Sequence, residues 1–400
     1  MYSHFFPPSF GGVETIVLSL AKGLAEVRNS GGAAQFKVTL VAQTAKGEYS
    51  DTALPFRVIR QPGLFQLWQL IRKSDLVHVA GPALAPLLLA RLARKHLVIE
   101  HHGYQAICPN GLLVHQPDGC ICPGHFQAGR YLECWRCRRS EISSLRSLAS
   151  VLLMFPRLWL SRKAAANLAN SHHVLERHAL PRTSVLYHGI EDPLGGGSAP
   201  LSAADAPEKL CFAYVGRFVP EKGITVLLQA AAILNKEGRE FKLRFVGDGP
   251  LRGTLEEMIA ENDLGSRVAI TGYLRDAHLT EVLRDVRAVV IPTTMEETAG
   301  LAAIEQMMRG RLVIASKIGG LAEIVGDAGL TFPPGDASAL AGCMREVLQD
   351  PSMVDSIGRK ARDRACHMFL RTRMVEEHAR IYRSVLLESH AGVDRTLTDR

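Results

Sequence analysis

The chain has 400 residues, long for one core and comfortable for two ordinary domains, and 47% are hydrophobic, so each half can bury a core of its own. Its net charge of +7 and pI near 9.0 suit anionic ligands or an anionic membrane surface, but no long Lys/Arg run and no nucleic-acid motif accompany them, so nucleic acid is not expected as a partner. No secretory signal stands at 1–10 and no stretch approaches the ~20 uninterrupted apolar residues of a membrane span, so a cytoplasmic location is expected, with peripheral contact at the inner membrane face left open.

In chain order, a glycine turn, Gly11-Gly12, comes almost at once. The apolar strand that should lead into such a turn is missing or reduced to 2–6. Continuous apolar strands follow at 36–42, 56–60, 75–79 and 96–100, with a helix at 83–94 and further strands at 166–170 and 184–187. Buried strands alternating with helices predict a parallel sheet covered on both faces. The segment 145–168 is apolar but interrupted by Arg146, Arg157, Arg162 and Lys163. It reads first as an ordinary amphipathic helix and second as a surface that touches lipid.

Five of the eight cysteines crowd into a turn-rich stretch: Cys108, Cys120, Cys122, Cys134 and Cys137, with His115 and His125 among them. A loop of this length needs a reason to be ordered. Cys134 and Cys137 have Cys-x-x-Cys spacing and form half of a structural zinc or iron site, with Cys108 and Cys120 or Cys122 as the other half. Buried thiols without an ion, or a disulfide, are the alternatives.

At 192–207 the composition turns to Gly, Pro, Ser and Ala, which reads as a linker. The alternation then restarts, with strands at 210–215, 241–246, 268–271, 288–291 and 312–315. Helices are expected at 224–234, 251–261, 278–286, 300–309, 337–348 and 352–386, with a frayed polar tail from 388. The boundaries are 1–190 for a first domain, 191–208 for the linker and 209–370 for a second domain. Residues 371–400 form a C-terminal helix that packs back on the first domain and then frays. Two doubly wound halves would face one another across a cleft, with ligands beyond the carboxyl ends of the strands.

Three strand-to-helix turns in the second half carry chemistry. Gly216-Arg217 and Glu221-Lys222-Gly223 combine close backbone approach with two cations at a helix start, a place for phosphate. In the second turn Glu297 precedes a helix, Gly300 and Leu301 open it, and Glu305 lies a turn inside, where it can accept from a vicinal diol. Lys317, Gly319-Gly320 and Glu323 form the third turn. Read blandly, these are solvated loops, surface cations and helix-start carboxylates.

Together the three turns resemble the retaining family-4 glycosyltransferases of the GT-B fold, whose pattern is a GR…EKG turn, a glutamate pair at this spacing and then Gly-Gly. The stretches 245–250 and 270–274, the latter holding Gly272, also resemble family segments, as do Gly11-Gly12 and His102-Gly103. The resemblance implies transfer of a sugar from a nucleotide diphosphate donor to an unidentified acceptor, in polysaccharide, lipopolysaccharide or glycolipid synthesis, with no cofactor required for catalysis. It implies catalytic roles for Glu297, His102, Arg217 and Lys222. Donor contacts would come from Gly11, Gly12, Gly216, Arg217, Lys222, Gly272, Gly300, Leu301 and Glu305. The family's small Gly and aromatic after the first glutamate are here Thr298 and Ala299. A nucleotide-sugar epimerase of the same fold and a weakly active nucleotide-sugar-binding protein are the rival readings.

Overall fold

The computed structural model describes residues 1–9, 11–196, 210–274 and 276–397, with side chains described up to 387 apart from that of Asp276. The chain divides into two units, Met1–Glu191 with Leu370–Arg400, and Asp192–Phe369. Most of the Gly/Pro/Ser-rich stretch expected as a linker lies outside the described residues.

The first unit begins with β1 (Tyr2–Ser3), α1 (Gly12–Glu26), β2 (Thr39–Ala42), β3 (Arg57–Arg60), α2 (Leu64–Arg72), β4 (Leu76–Ala80), α3 (Leu84–Leu92) and β5 (His96–His101). A small hairpin, β6 (Val114–His115) with β7 (Cys120–Ile121), and the helices α4 (Tyr131–Arg139), α5 (Ser144–Leu152) and α6 (Met154–Arg162) follow. Then come β8 (Ala166–Ala169), α7 (His172–His178) and β9 (Thr183–Val185). The sheet order among the described residues is β3-β2-β1-β4-β5-β8-β9, all parallel. The first strand is therefore present but only two residues long. It sits mid-sheet, with Tyr2 opposite both Val41 and Val79. So short a strand leaves no periodicity to read. The segment expected as a long loop after β5 instead folds into a hairpin and a helix.

Alternation along these strands feeds two layers. Val41, Val77, Val79, Leu97 and Ile99 pack with Leu67, Leu87 and Leu160 on one face. Leu40 and Ala42 pack with Phe6, Val17 and Ala21 on the other. Sheets buried on both faces read as unbroken apolar runs, which is why these strands were legible.

The second unit holds β10 (Cys211–Val215), α8 (Ile224–Lys236), β11 (Lys242–Val246), α9 (Arg252–Glu261), β12 (Val268–Gly272), α10 (Asp276–Val282) and β13 (Val286–Ile291). It continues with α11 (Leu301–Met308), β14 (Leu312–Ser316), α12 (Gly319–Val325), β15 (Leu330–Phe332), α13 (Ala337–Gln349) and α14 (Ser352–Met368). Its order is β12-β11-β10-β13-β14-β15, again parallel. Numbered within the unit this is 3-2-1-4-5-6, the Rossmann order, whose direction reverses between β10 and β13. Every residue of β13 is buried. Leu227, Leu228 and Leu234 of α8 pack on Phe212, Phe245 and Ile314 of the sheet. Truncating such a leucine to alanine costs about 2–5 kcal/mol.

The helix expected over 352–386 is two helices, α14 and α15 (Arg371–Leu397). The break has a local cause. Ile190 and Leu370 form a parallel bridge, and the Arg371 amide donates to the Ile190 carbonyl at 2.8 Å. Backbone bonding across that bridge replaces the helical pattern. The helix α15 joins the first unit, packs on α1, and runs to Leu397 rather than fraying at 388.

Candidate active site

In the second unit, the turns after β10 and β13 flank the point where strand order reverses, and the structure locks them together. Gly223 caps α8 with φ +64°, and a Cβ there would stand 1.9 Å from the Pro292 carbonyl oxygen. Only glycine fits both demands. The Glu221 carbonyl accepts from the Thr294 amide at 3.0 Å and from Thr293 Oγ1 at 3.0 Å. Two loops distant in sequence thus share one hydrogen-bond set.

On this platform Lys222 Nζ lies 2.6 Å from Glu297 Oε1. The pair is partly open, with side-chain exposures of 31% and 16%. Arg217 is exposed beside it and, among the described residues, makes no ion pair. Its carbonyl accepts from the Tyr214 hydroxyl at 2.8 Å, which fixes the turn. The turn after β14 completes the cradle. The Gly320 amide donates to the Glu297 carbonyl at 2.7 Å, and a Cβ on Gly319 would come within 2.6 Å of that same oxygen. The three glycine turns therefore converge on Glu297.

Gly300 (φ +64°) caps α11, so Leu301 opens that helix, where the first amides have no intrahelical acceptor. Glu305 is half-buried one turn further in. Burial raises its carboxyl above the ordinary range, against the opposing pull of Arg309. Such a group gains by meeting donors, as vicinal hydroxyls would provide. Gly216 is fixed by its amide N–H, which donates to the Val246 carbonyl at 3.0 Å. Gly272 ends edge strand β12, and its carbonyl accepts at 2.9 Å from the amide of Gly247, on which a Cβ would stand 1.9 Å from the Gly216 carbonyl oxygen.

The first unit contributes a different arrangement. Gly11 caps α1 and Gly12 begins it, but the Glu14 carboxylate folds back over that end. A Cβ on Gly11 would stand 2.6 Å from Glu14 Oε2, and Ser9 Oγ donates to Glu14 Oε1 at 3.1 Å. His102, just beyond β5, is buried in a network that sequence reasoning missed. Its centre is Glu100, fully buried in β5, with His78 Nε2 at 3.2 Å, His378 Nε2 at 3.5 Å, His102 Nε2 at 3.6 Å and His188 Nε2 at 3.7 Å. His102 Nδ1 is 3.1 Å from His188 Nε2. The Tyr382 hydroxyl is 2.7 Å from His78 Nδ1, and His378 Nδ1 donates to the Met374 carbonyl at 2.8 Å.

Two sets share Glu100 and bring metal-ligand atoms within 4.8 Å of one another: His78 with His378, and His102 with His188. Burial opposes charge on Glu100, but the surrounding rings, His102 foremost, hold its carboxyl well below the usual range. Burial lowers His78 to about 4 and His188 to about 3, and it also lowers His102. The network ties α15 to the sheet. One signal was available in the sequence: His78 interrupts an otherwise apolar strand, and Glu100 follows the apolar run 97–99.

Among the cysteines, Cys108, Cys122, Cys134 and Cys137 are buried and Cys120 is exposed. No helix among the described residues is long and apolar enough to cross a membrane.

Residues 202–364 match the family model described as glycosyl transferases group 1. The 2-deoxystreptamine glucosyltransferase of Streptomyces kanamyceticus is 37% identical over 143 residues, 35% of this chain and 37% of that protein. The chain thus matches well under half the length of that relative. The O-antigen chain mannosyltransferase C of Escherichia coli is 24% identical over 399 residues, 97% of this chain and 98% of its own. Among solved structures, Anabaena HepE in complex with UDP superimposes with a TM-score of 0.71 at 18% identity, over 96% of this chain and 98% of that one. A sucrose-phosphate synthase from Thermosynechococcus elongatus gives 0.70 at 21%, over 97% and 99%. These likenesses establish the GT-B pairing of two Rossmann-like units as the fold. The match to the glycosyl transferases group 1 model falls within the second unit and spans less than half of the chain.

Proposed function

We propose that the protein is a retaining glycosyltransferase. It moves a sugar from a nucleotide diphosphate donor to a hydroxyl of a glycan or glycolipid acceptor, releasing the nucleoside diphosphate and a proton. The observation that carries this reading is the Lys222–Glu297 pair beside an exposed Arg217, set at the strand reversal of a Rossmann sheet between the starts of α8 and α11. The leaving diphosphate gathers negative charge as the anomeric bond breaks. Arg217, Lys222 and the amides opening α11 offer prearranged positive charge to meet it. Lys222 would exchange part of its contact with Glu297 for phosphate, leaving that carboxylate to bond the donor sugar. Glu305 would accept from the ribose diol. Within the first unit, His102, oriented by Glu100 and His188, is the residue we assign to sugar.

The donor class draws support from a neighbour of the same fold whose structure holds UDP, and the acceptor class from a relative named for O-antigen chains. Peripheral contact with an anionic membrane at its cytoplasmic face accords with α5 and α6. They expose Leu145, Leu148, Leu152, Phe155 and Trp159 beside Arg146, Arg162 and Lys163. Co-sedimentation with phosphatidylglycerol vesicles, reduced in Leu145→Glu and Trp159→Glu, tests that contact.

Thermal-shift screening against UDP-, GDP- and ADP-sugars tests the donor, because a ligand bound to the native state raises its melting temperature by mass action. One donor class should stabilise the protein in a manner lost in Arg217→Ala. Indifference to every nucleotide sugar at millimolar concentration would overturn the proposal.

A further inference from the structure

The segment that follows His102 and Gly103 holds five cysteines for which sugar transfer has no use, and the fold sorts them. Helix α4 is the key element. Of its nine residues, YLECWRCRR, the buried ones are Cys134 and Cys137 alone. One turn apart, the two thiols share a face. Cys134 packs with Phe126, Val151 and Met154, with Trp135 against them, so the helix docks on a small apolar cluster while turning both thiols inward.

Two further buried thiols lie in the neighbouring cluster. Cys108 lies before the β6–β7 hairpin and Cys122 directly after it, and both are buried in one cluster. The Cys122 amide donates to the Leu113 carbonyl at 2.6 Å, which sets Cys122 beside the start of β6. Cys137 Sγ is 3.6 Å from the Val114 carbonyl, the next residue along. Asn110 touches two of the sulfurs: Cys108 Sγ stands 2.9 Å from its Oδ1, and its Nδ2 donates to Cys137 Sγ at 3.5 Å. The Gln116 amide also donates to Cys137 Sγ, at 3.4 Å. Cys108, Cys122 and Cys137 all lie within electrostatic range of Cys134. Cys120 is on the outer face of the hairpin and exposed.

We propose that Cys108, Cys122, Cys134 and Cys137 form a tetrathiolate site for one thiophilic metal ion of the zinc or iron type, with Cys120 outside it. Four cysteines, two from the hairpin's flanks and two from a helix, match the ligand set of structural zinc sites. The sulfurs are not yet as close as the 4.8 Å that gathers the ligand atoms around Glu100, so binding must draw the hairpin onto α4. Gly119, Gly124 and Gly129, all at positive φ, give the segment hinges for that movement. Binding would release the thiol protons to solvent and hold in place the excursion between β5 and β8.

Elemental analysis of the full chain, purified under reductant without added metal, tests the site. About one equivalent of zinc or iron per chain is expected. It should persist in Cys120→Ser and fall below about a tenth in Cys134→Ser and Cys137→Ser. Should those two variants fail to fold, metal in the wild type and in Cys120→Ser still decides. Cobalt substituted into the wild type should also show the intense near-ultraviolet absorption of thiolate ligation. Less than a tenth of an equivalent in the wild type with freely titrating thiols, or loss of metal in Cys120→Ser, would overturn the proposal.

Discussion

Replacing Lys222 by alanine separates a structural ion pair from a catalytic cation. Its Nζ is 2.6 Å from Glu297 Oε1, but both side chains keep contact with solvent. A pair so placed contributes up to about 1 kcal/mol to stability. Lys222→Ala should therefore lower the melting temperature by only about 2–4 °C. Loss of a prearranged charge facing the departing phosphate should instead cut turnover by about 10²–10³, or about 3–4 kcal/mol. The combined variant Lys222→Ala/Glu297→Ala adds a second discriminant. If Lys222 only holds Glu297, the double variant should be no worse than the worse single one. If the lysine serves phosphate and the glutamate serves sugar, the double variant should be slower than either, with coupling of about 1 kcal/mol because the two touch. The assay is nucleoside diphosphate release from whichever sugar nucleotide stabilises the wild type, alongside melting curves for all three variants. Near-normal turnover in Lys222→Ala, or a loss wholly explained by unfolding, would refute the reasoning.

Other consequences are equally concrete. Gly223→Ala forces a side chain into φ +64° and toward the Pro292 oxygen. It should destabilise the second unit by about 2–4 kcal/mol in denaturant titrations, with the positive φ alone accounting for roughly 1–2. Glu305→Ala should weaken UDP binding about tenfold to a hundredfold through lost charged hydrogen bonds, whereas Glu297→Ala should leave it within about threefold, as read by calorimetry. Stability should fall as pH drops from about 6.5 toward 4. The unfolded chain protonates its histidines near 6.5, but His78 and His101 in the fold resist until about 4, so the unfolded state binds more protons across that window. Each ring forfeits up to about 3 kcal/mol, and Glu100, held low in the fold, adds loss in the same direction below about 4.5. Stability unchanged between pH 7 and 5 would count against the buried network. If side-chain cations neutralise the diphosphate as proposed, binding of UDP should persist without added magnesium.

Much of the second unit was legible because β10 is an unbroken apolar run ending at Gly216, and β13 and β14 are apolar but for Arg287 and Ser316. The convergence on Glu297 was partly legible: spacing placed Arg217, Lys222 and Glu297 after strands, but only the fold shows Gly319 pressed on the Glu297 backbone. The two-residue β1 left no pattern, since two residues cannot show a period. Glu100 and its histidines come from β4, β5, the segment after β9 and α15, elements separated by up to the whole chain, so no local window could gather them. The tetrathiolate set was narrowed by burial alone, because spacing cannot distinguish Cys120 from Cys122.

The central claim is that the turns after β10 and β13 seize the diphosphate of a nucleotide. Calorimetric titration of UDP, GDP and ADP, each beside its bare nucleoside, into the wild type and into Arg217→Ala/Lys222→Ala measures this directly. One diphosphate should bind the wild type far more tightly than its nucleoside, and the double variant should lose about a hundredfold of that affinity while binding the nucleoside as before. Equal affinity for diphosphate and nucleoside in the wild type, or undiminished diphosphate binding in the double variant, would contradict the account.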